Sequence, residues 1–543
     1  MTPAFVTPFT RRELISLGVK AAGLALLARR PAARAAEPAR ERAGTVVGEA
    51  TAAKIGLQIL RDGGNAVDAA IGAAFAACVC SPHNCGIGGY GGHAMIALAG
   101  GKKFTAIDFN SSAPASATAE MFPLNEKGLV KNGINSTGWL AAGVPGTVAG
   151  LELALQRYGT RSLRDTLAPA IQLAEQGTYA KMIKGIDDVA AESGLEDPGG
   201  TNLPRERQRN VRLTALLKKL AAENSAESFY RGDIATIIAA AFQRHGGLVT
   251  KADLAAYHAR EVPPLSFAWN GATIYTPPVT ATGLLLLEAC SILKALNWPR
   301  LSGMPQQHAK LEALRIAWVD RLRTFGDPES VRIPVETLLS SGYAEACAKK
   351  IEIALRTEKP VPLDVEPSLA GGTVNLSATD RAGNMIAITL THGGSYGARV
   401  VVPELGLILG HGMSRFDPRP GRPNSPGPGK RPVNNMCPTI VARDGVPVLA
   451  VGGAGGTRIP NSVFEVLVNY VGLSADLVGA MAAPRFDCSG TLQLGLDRHH
   501  PAETMAFFKR IGYTVSHRPS AYVSAVSFDP ATQHGQGLAS GGD

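Results

Sequence analysis

Residues 371–390, with the sequence GGTVNLSATDRAGNMIAITL, form the stretch that decides the fold. Apolar and polar residues alternate from Thr373 to Ala378, which is the period of a half-buried strand. Residues 380–384 have the composition of a turn, and Met385 to Leu390 have the composition of a second strand. We therefore predict a β-hairpin that starts at Thr373, directly after a flexible diglycine.

A threonine at the start of a strand has one specific chemical use. Its hydroxyl is a poor nucleophile unless a base takes the proton, and the free α-amine of an N-terminal threonine, with a pKa of roughly 7.7 to 8.0, is such a base. A cut between Gly372 and Thr373 would create that group. Many Gly-Thr pairs fit this description, so the pair alone is a weak signal. The chain has no GxSxG elbow before a helix, and a Ser-His-Asp triad is not indicated.

A glycine-rich turn is the second candidate site. Residues 437–442 and 446–451 are predicted to form another hairpin, which ends in Gly452–Gly456 before a helix from about Asn461. Such a turn presents backbone N–H groups that suit a phosphate or an oxyanion. The sequence GGAGGTR matches neither the P-loop nor the dinucleotide fingerprint. Taken alone, the turn is more simply interpreted as structural.

The remaining chain alternates helical and strand-like patterns, which indicates an α/β protein. Helices are predicted at 51–60 and 66–79 and a strand at 94–98, while 147–260 and 281–325 are mainly helical by period. Residues 417–430, DPRPGRPNSPGPGK, are too rich in Pro and Gly for a regular element. Loops of this kind often cover functional sites.

The N-terminus explains much of the positive charge. The chain has 543 residues and a formal charge of +9. The pair Arg11-Arg12, an apolar run to Ala28 and the small-residue site Ala33-Arg34-Ala35 predict a twin-arginine signal at residues 1–35, hence a periplasmic or secreted protein. Its removal leaves a net charge of +4. No basic block with interleaved aromatics remains, so nucleic-acid binding is not indicated, and no stable membrane anchor is expected.

Cysteine and histidine spacing gives no clear metal site. Three of the seven cysteines, Cys78, Cys80 and Cys85, lie near His83, but a zinc site usually needs CxxC pairs from two separated knuckles. We therefore expect buried free thiols, with no metal and no cofactor.

Several motifs in order resemble one known family, the γ-glutamyltranspeptidases, which are self-cleaving N-terminal-nucleophile hydrolases. The resemblance is collinear from about residue 47 to the C-terminus. Any single motif would be weak, but the ordered series is specific. Its elements are Gly63–Ala70 (GGNAVDAA), Pro82-His83, Gly86–Gly89 (GIGG), Val144–Gly150 (VPGTVAG), Phe229-Tyr230, Asp253-Leu254, Pro277-Pro278, Asp320-Arg321, Gly326–Pro328 (GDP) and Pro428–Pro432 (PGKRP).

The resemblance implies a four-layer αββα sandwich, made as a precursor that cuts itself into two subunits of one folded unit. These would be a large subunit, residues 36–372, and a small subunit, residues 373–543. The family's nucleophile falls on Thr373 and a supporting second threonine on Thr391. The glycines whose N–H groups form the oxyanion hole fall on Gly455 and Gly456.

The substrate pocket departs from the family pattern. The family arginine that grips the α-carboxylate of a γ-glutamyl group falls on Asn110, and its asparagine after the second threonine falls on Gly393. Its glutamine and aspartate fall on Gly412 and Arg415. Its serine pair falls on Asn434 and Asn435. An arginine in place of an acid reverses the charge that would meet the substrate's α-ammonium, and the lost arginine removes a carboxylate clamp.

We therefore predict an amidohydrolase whose small-molecule substrate carries an acyl group other than γ-glutamyl. Arg415 favours an acyl group that bears a carboxylate or another acceptor, as in relatives that resemble oxamate amidohydrolases or β-lactam side-chain acylases. Two alternatives stay open. One is a glutathione hydrolase or γ-glutamyltransferase in which Asn434, Asn435 or a neighbour compensates, and the other is a non-catalytic binding protein on the same fold.

Overall fold

The computed structural model describes residues 44–183, 205–364 and 372–541. The predicted signal at 1–35 and the first glycine of the diglycine, Gly371, lie outside these ranges. The strands are β1 Gly44–Val47, β2 Gly91–Leu98, β3 Lys103–Asp108, β4 Arg260–Val262, β5 Leu265–Trp269, β6 Ala272–Thr276, β7 Gly372–Asp380, β8 Met385–Gly393, β9 Val401–Val402, β10 Leu407–Ile408, β11 Thr439–Arg443, β12 Val446–Ala454, β13 Phe486–Asp487, β14 Gln493–Leu496, β15 Thr514–His517, β16 Tyr522–Asp529 and β17 His534–Ser540.

The helices cover most of the segments that were predicted to be helical. They are α1 Ala50–Arg61, α2 Ala66–Cys80, α3 Thr147–Tyr158, α4 Leu163–Glu175, α5 Thr178–Met182, α6 Arg205–Glu223, α7 Glu227–Tyr230, α8 Asp233–Arg244, α9 Lys251–Ala256, α10 Gly283–Ala295, α11 Gly303–Thr324, α12 Val335–Leu338, α13 Ser341–Thr357, α14 Arg458–Leu467, α15 Leu477–Ala482 and α16 Ala502–Arg510. The Pro/Gly-rich stretch 417–430 contains no helix or strand, as predicted.

Two antiparallel sheets form the centre of the described part of the chain. One has the strand order β1-β7-β8-β2-β3-β4 and the other β17-β16-β12-β11-β6-β5. Both predicted hairpins are confirmed, as β7–β8 and β11–β12. In each sheet the strands that follow residue 372 pair with strands from before it, so both halves of the chain contribute to both sheets.

Apolar side chains between and outside the sheets make four layers. The inner faces of the two sheets meet in one cluster, which includes Met95, Met385, Ile440 and Phe528. Helices α1 to α8 cover the outer face of the first sheet, with every residue of α2 buried. Helices α10, α11, α13 and α14 cover the second sheet. The predicted αββα sandwich is therefore confirmed.

The β7–β8 turn also fixes the start of the buried helix α2. Asp380 Oδ2 accepts hydrogen bonds from the backbone N–H of Ala66 (2.9 Å) and from Asn384 Nδ2 (2.7 Å). Asp380 Oδ1 accepts from the Asn384 N–H (3.0 Å), which closes the turn. One carboxylate thus joins the predicted turn to the first turn of a helix more than 300 residues earlier in the chain.

Gly91 lets the end of β3 approach the start of β2. It has a φ of +113°, and a Cβ there would lie 1.8 Å from the carbonyl oxygen of Phe109. We expect Gly91→Ala to lower the free energy of unfolding by about 2–3 kcal/mol, because it adds both backbone strain and a clash with backbone. Urea denaturation measures this. Gly100→Ala is the matched control, since Gly100 also has a positive φ but has open space around it; an equal loss there would refute the role of close approach.

Candidate active site

Thr373 and Thr391 face each other at a bulge where β7 pairs with β8. Gly372 pairs with Gly393 and Val374 with Leu390, so Thr373 alone is opposite two residues, Thr391 and His392. Thr373 is 9% exposed and Thr391 is 1% exposed. Thr391 Oγ1 accepts a hydrogen bond from the Gly393 N–H (2.7 Å). Bulges of this kind re-aim side chains next to active sites, and this one brings the two predicted threonines together.

The glycine turn 455–456 lies at the same end of the sandwich as Thr373. A Cβ on Gly452 of β12 would lie 2.2 Å from the Asn375 carboxamide of β7, so the two strands touch across the sheets. Gly452 pairs with Ser524 of β16, whose Oγ lies 2.7 Å from the same carboxamide. The end of β12 therefore lies at the start of β7, and the turn that follows is close to the predicted nucleophile.

The conformation of this turn requires glycine. Gly455 has a φ of +142° and Gly456 a φ of +66°. The carbonyl of Gly455 accepts from Arg458 Nε (3.2 Å), and that of Gly456 accepts from the Ile459 N–H (3.2 Å). Because N–H and C=O point in opposite directions in a trans peptide, the Gly456 N–H points away from Arg458. An N–H so directed can stabilise developing negative charge on a bound carbonyl oxygen.

Asn110 and Asn434 are committed to hydrogen bonds within the protein. Asn110 Nδ2 donates to Thr280 Oγ1 (2.8 Å) and to the carbonyl of Pro432 (2.6 Å). Asn434 Nδ2 lies 2.9 Å from His93 Nε2, and Asn434 Oδ1 accepts from the Met436 N–H (2.9 Å). Neither carboxamide presents the pair of donors that a carboxylate clamp needs.

Two guanidinium groups share the pocket, and only one of them was predicted. Arg415 ends a short 3₁₀ turn, Gly412–Arg415, and its Nε donates to Ser414 Oγ (3.3 Å). Arg321 reaches the same region from α11, where it donates to Asn435 Oδ1 (2.8 Å) and to the carbonyl of Asn434 (3.2 Å). Burial, together with the positive charge of Arg415, lowers the pKa of Arg321 to about 10. Burial also lowers the pKa of Arg415.

At the two glycines of the predicted pocket, other side chains occupy the space that a side chain of the glycine position would take. A Cβ on Gly393 would lie 2.0 Å from Cδ2 of His411, and a Cβ on Gly412 would lie 2.1 Å from Oγ of Ser111. Asparagine at 393 or glutamine at 412 therefore has no room without movement of His411 or Ser111. At both glycines the space is filled by a neighbour that the sequence did not predict: His411 at Gly393 and Ser111 at Gly412.

A buried charged cluster supports the pocket from behind. Asp108 pairs with Arg260 (2.7 Å) and Arg431 (3.1 Å), and its Oδ1 lies 3.8 Å from His93 Nδ1. Burial alone raises the pKa of the Asp108 carboxyl, but the neighbouring positive charges, Arg431 first, hold it well below its usual range. Asp108 and Asn110 flank Phe109 at the end of β3, so the cluster anchors the segment that carries Asn110.

The described ranges contain no cluster of metal-ligating side chains and no membrane-spanning helix. Across the described ranges, no group of three or more His, Cys, Asp or Glu side chains is arranged to hold a metal ion. All seven cysteines lie in these ranges as buried free thiols, as predicted. None of the helices there has both the length and the apolarity to cross a bilayer.

Three buried histidines make stability depend on pH. Burial lowers the pKa of His93 to about 4, of His392 to about 3 and of His411 to about 4. The unfolded chain binds these protons near pH 6.5, so the free energy of unfolding falls as the pH drops from 6.5 towards 4. We expect His411→Gln to remove about 2 kcal/mol of the loss between pH 7.5 and 5. Urea titrations at both pH values test this; exposed His517→Gln is the control, and an unchanged loss in His411→Gln contradicts it.

An αββα sandwich with a threonine near the start of a central strand is the arrangement expected of the N-terminal-nucleophile hydrolases. This class of enzyme cleaves or transfers amide-linked acyl groups. The family model described as gamma-glutamyltranspeptidase matches residues 52–542. The chain belongs to the γ-glutamyltranspeptidase family and is an enzyme of its hydrolase and acyltransferase type.

Similar proteins within the family differ in the activity that their names state. The chain is 35% identical to the glutathione hydrolase proenzyme of Escherichia coli K12 over 482 residues, 83% of this chain and 81% of the relative. It is 32% identical to the acylase ACY 1 proenzyme of Pseudomonas sp. SE83 over 499 residues, 88% of each chain. The cephalosporin acylase from Bacillus halodurans superposes with a TM-score of 0.77 at 28% identity, over 92% of this chain and 93% of that one. As in these proenzymes, the chain is a self-processing precursor of a large and a small subunit.

Proposed function

We propose that Thr373 is the residue at which the precursor cuts itself. Its Oγ would attack the carbonyl carbon of Gly372, the Gly372–Thr373 C–N bond would break, and the acyl group would pass to oxygen as an ester. Breaking the C–N bond frees the Thr373 α-amine, which takes the proton lost by Oγ. Water would then hydrolyse the ester and free the Gly372 carboxylate and the Thr373 hydroxyl. The supporting observation is the bulge that places Thr373 opposite Thr391 on β8, with Gly372 still held in the sheet.

The same atoms would then cleave an amide substrate. The Thr373 α-amine takes the proton from Oγ as Oγ attacks the amide carbonyl, and the N–H groups of Gly455 and Gly456 hold the tetrahedral oxyanion. The C–N bond breaks, and the α-amine passes its proton to the departing amine. Water, activated by the same α-amine, attacks the acyl ester, so that a carboxylic acid leaves and Thr373 is regenerated. Thr391 lies opposite Thr373 on β8, where its Oγ1 accepts from the Gly393 N–H.

We propose an acyl group that ends in a carboxylate and lacks an α-ammonium. The observation that carries this is the pair of guanidinium groups, Arg415 and Arg321, close enough for the charge of one to lower the pKa of the other. An added carboxylate relieves that repulsion, whereas an ammonium beside them adds to it. In a desolvated pocket a mispaired charge costs several kcal/mol. Amides of short dicarboxylic acids, such as glutaryl amides, fit this charge.

Glutathione hydrolysis is the second candidate, because the Escherichia coli relative named for that activity is 35% identical. The contacts of the pocket argue against it. Asn434 and Asn435, which could replace the lost clamp, already bind His93 and Arg321. Asn110 binds Thr280 and Pro432. The acylases among the relatives bear names consistent with other acyl groups.

A matched set of anilides tests this choice. Cleaved enzyme is assayed with glutaryl p-nitroanilide, its neutral methyl ester and γ-glutamyl p-nitroanilide. We expect kcat/KM for the glutaryl compound to exceed both others by at least about tenfold. A γ-glutamyl rate equal to or above the glutaryl rate would refute the carboxylate assignment and support glutathione hydrolysis.

We also propose export by the twin-arginine route, supported by Arg11-Arg12 and the apolar segment that follows. The large subunit should then begin near residue 36. Cell fractionation with N-terminal sequencing of the large subunit tests this, with a double Arg11→Lys, Arg12→Lys variant as the control that stays inside. An exported protein that still carries residues 1–35 would contradict it.

A further inference from the structure

His411 occupies the space that a side chain at position 393 would take. A Cβ on Gly393 would lie 2.0 Å from its Cδ2, and a Cβ on Gly394 would lie 2.9 Å from its Cε1. The imidazole therefore lies against the backbone of both glycines. It is 7% exposed, so the ring is packed almost completely inside the protein.

Two contacts assign the proton of the neutral His411 ring to Nδ1. Nδ1 lies 3.0 Å from the carbonyl oxygen of Ser136, which can only accept, and Nε2 lies 3.4 Å from Arg415 NH2, which can only donate. In the neutral ring Nε2 then has a free lone pair. Burial and the nearby charge of Arg415 lower the pKa of His411 to about 4, which keeps the ring neutral at physiological pH.

The free lone pair of His411 faces Arg415. Arg415 NH2 lies 3.4 Å from Nε2, which lets the guanidinium donate to the ring. Ser414 bridges the two residues. Its Oγ donates to the His411 carbonyl (2.8 Å), and the same Oγ accepts a hydrogen bond from Arg415 Nε. His411 and Ser414 thus hold the guanidinium along two of its edges.

His411 also connects this guanidinium to the reactive centre. Its backbone N–H donates to the carbonyl of His392 (2.8 Å), and His392 belongs to the bulge opposite Thr373. Gly393, against which the ring packs, pairs with Gly372. A single residue therefore links the bulge at the predicted nucleophile to the charge that would bind the acyl carboxylate.

We propose that His411 is a positioning residue that sets the preference for anionic acyl groups. Its Nε2 orients the Arg415 guanidinium towards the substrate, and its ring closes the space left by Gly393. This role rests on the proposed function, because it requires that Arg415 bind the carboxylate. It predicts that loss of the Nε2 acceptor weakens binding of the acyl carboxylate without impairing attack on the amide.

Three variants separate the acceptor from the ring. His411→Phe keeps a ring but has no acceptor, His411→Gln places an amide oxygen near the Nε2 position, and His411→Asn reaches only as far as Nδ1. We expect the ratio of kcat/KM for glutaryl p-nitroanilide to that for its methyl ester to fall about tenfold in His411→Phe and His411→Asn. The loss should appear in KM, while kcat for the neutral ester is retained. His411→Gln should keep most of the preference.

A binding measurement on cleaved enzyme gives a readout besides turnover. Calorimetric affinity for glutarate should fall about tenfold in His411→Phe and His411→Asn and little in His411→Gln. If His411→Phe fails to cleave itself, His411→Asn supplies the same comparison. An unchanged ratio and an unchanged glutarate affinity in both would overturn the role of His411 alone. Wild-type enzyme with no preference for the glutaryl compound would overturn the proposed function and this role together.

Discussion

Purified Thr373→Ala protein is expected to remain one uncut polypeptide and to lose essentially all amidase activity. The wild-type protein should separate on a denaturing gel into fragments that correspond to residues 36–372 and 373–543. The variant lacks the hydroxyl that would form both the ester of the cut and the acyl ester of turnover. We expect turnover to fall by at least about 10³-fold, because the rest of the site has no replacement nucleophile.

Thr373→Ser is the matched control for this experiment. Serine keeps a hydroxyl on a strand that the sheet already holds, so we expect slow cutting and partial activity. Mass spectrometry of the small fragment should place residue 373 at its N-terminus. Two fragments from Thr373→Ala, or a small fragment that begins at another residue, would refute the assignment of the cut and of the nucleophile.

Replacing Arg415 should have the second largest effect. In Arg415→Gln we expect kcat/KM for glutaryl p-nitroanilide to fall by about 10²–10³, since a charge-assisted hydrogen bond in a buried pocket is lost and the substrate carboxylate becomes mispaired. The rate for the neutral methyl ester should change by less than about threefold, because that compound makes no use of the charge. Steady-state kinetics on the two anilides measure both effects.

Arg415→Asp sharpens the same test. A carboxylate here would repel the glutaryl group and would pair with an α-ammonium, so activity on γ-glutamyl p-nitroanilide should rise relative to glutaryl. Arg381→Gln removes an exposed arginine at the β7–β8 turn and serves as the control for a change in net charge. Equal losses on the charged and the neutral anilides in Arg415→Gln would show that Arg415 acts on packing and not on substrate charge.

Much of the fold follows from local sequence patterns. The alternation from Thr373 to Ala378 and the turn residues at 380–384 are short-range signals, and β7–β8 appears where they predict it. The buried helix α2 and the hairpin β11–β12 are equally local. The order of strands within each sheet depends on contacts between distant segments, and it was not predicted; the resemblance to the family implied only the four layers.

The side-chain contacts within the pocket could not be predicted from local sequence patterns. Gly393 and Gly412 were identified as departures, but what fills their places could not be deduced from them. His411 is eighteen residues from Gly393, and Ser111 is about 300 from Gly412; each pair meets only because the chain folds back. In the sequence, Arg321 is only part of the Asp320-Arg321 motif. Its hydrogen bond to Asn435 depends on how α11 packs. No local pattern in the sequence around Gly393 or Gly412 signals these contacts.

Because both halves of the chain contribute strands to both sheets, the proposed cut would not separate them. If the chain is cut between Gly372 and Thr373 as proposed, the large subunit would supply β1 to β6 and the small subunit β7, β8, β11, β12, β16 and β17, with β7–β8 inserted between β1 and β2. The contact between the two subunits is the hydrophobic core itself. Hydrolysis of one peptide bond therefore releases an amine without releasing a fragment, and separation requires both sheets to come apart at once. Thermal unfolding of cut enzyme should accordingly be a single transition in which both subunits unfold and separate together, so its midpoint should rise with protein concentration.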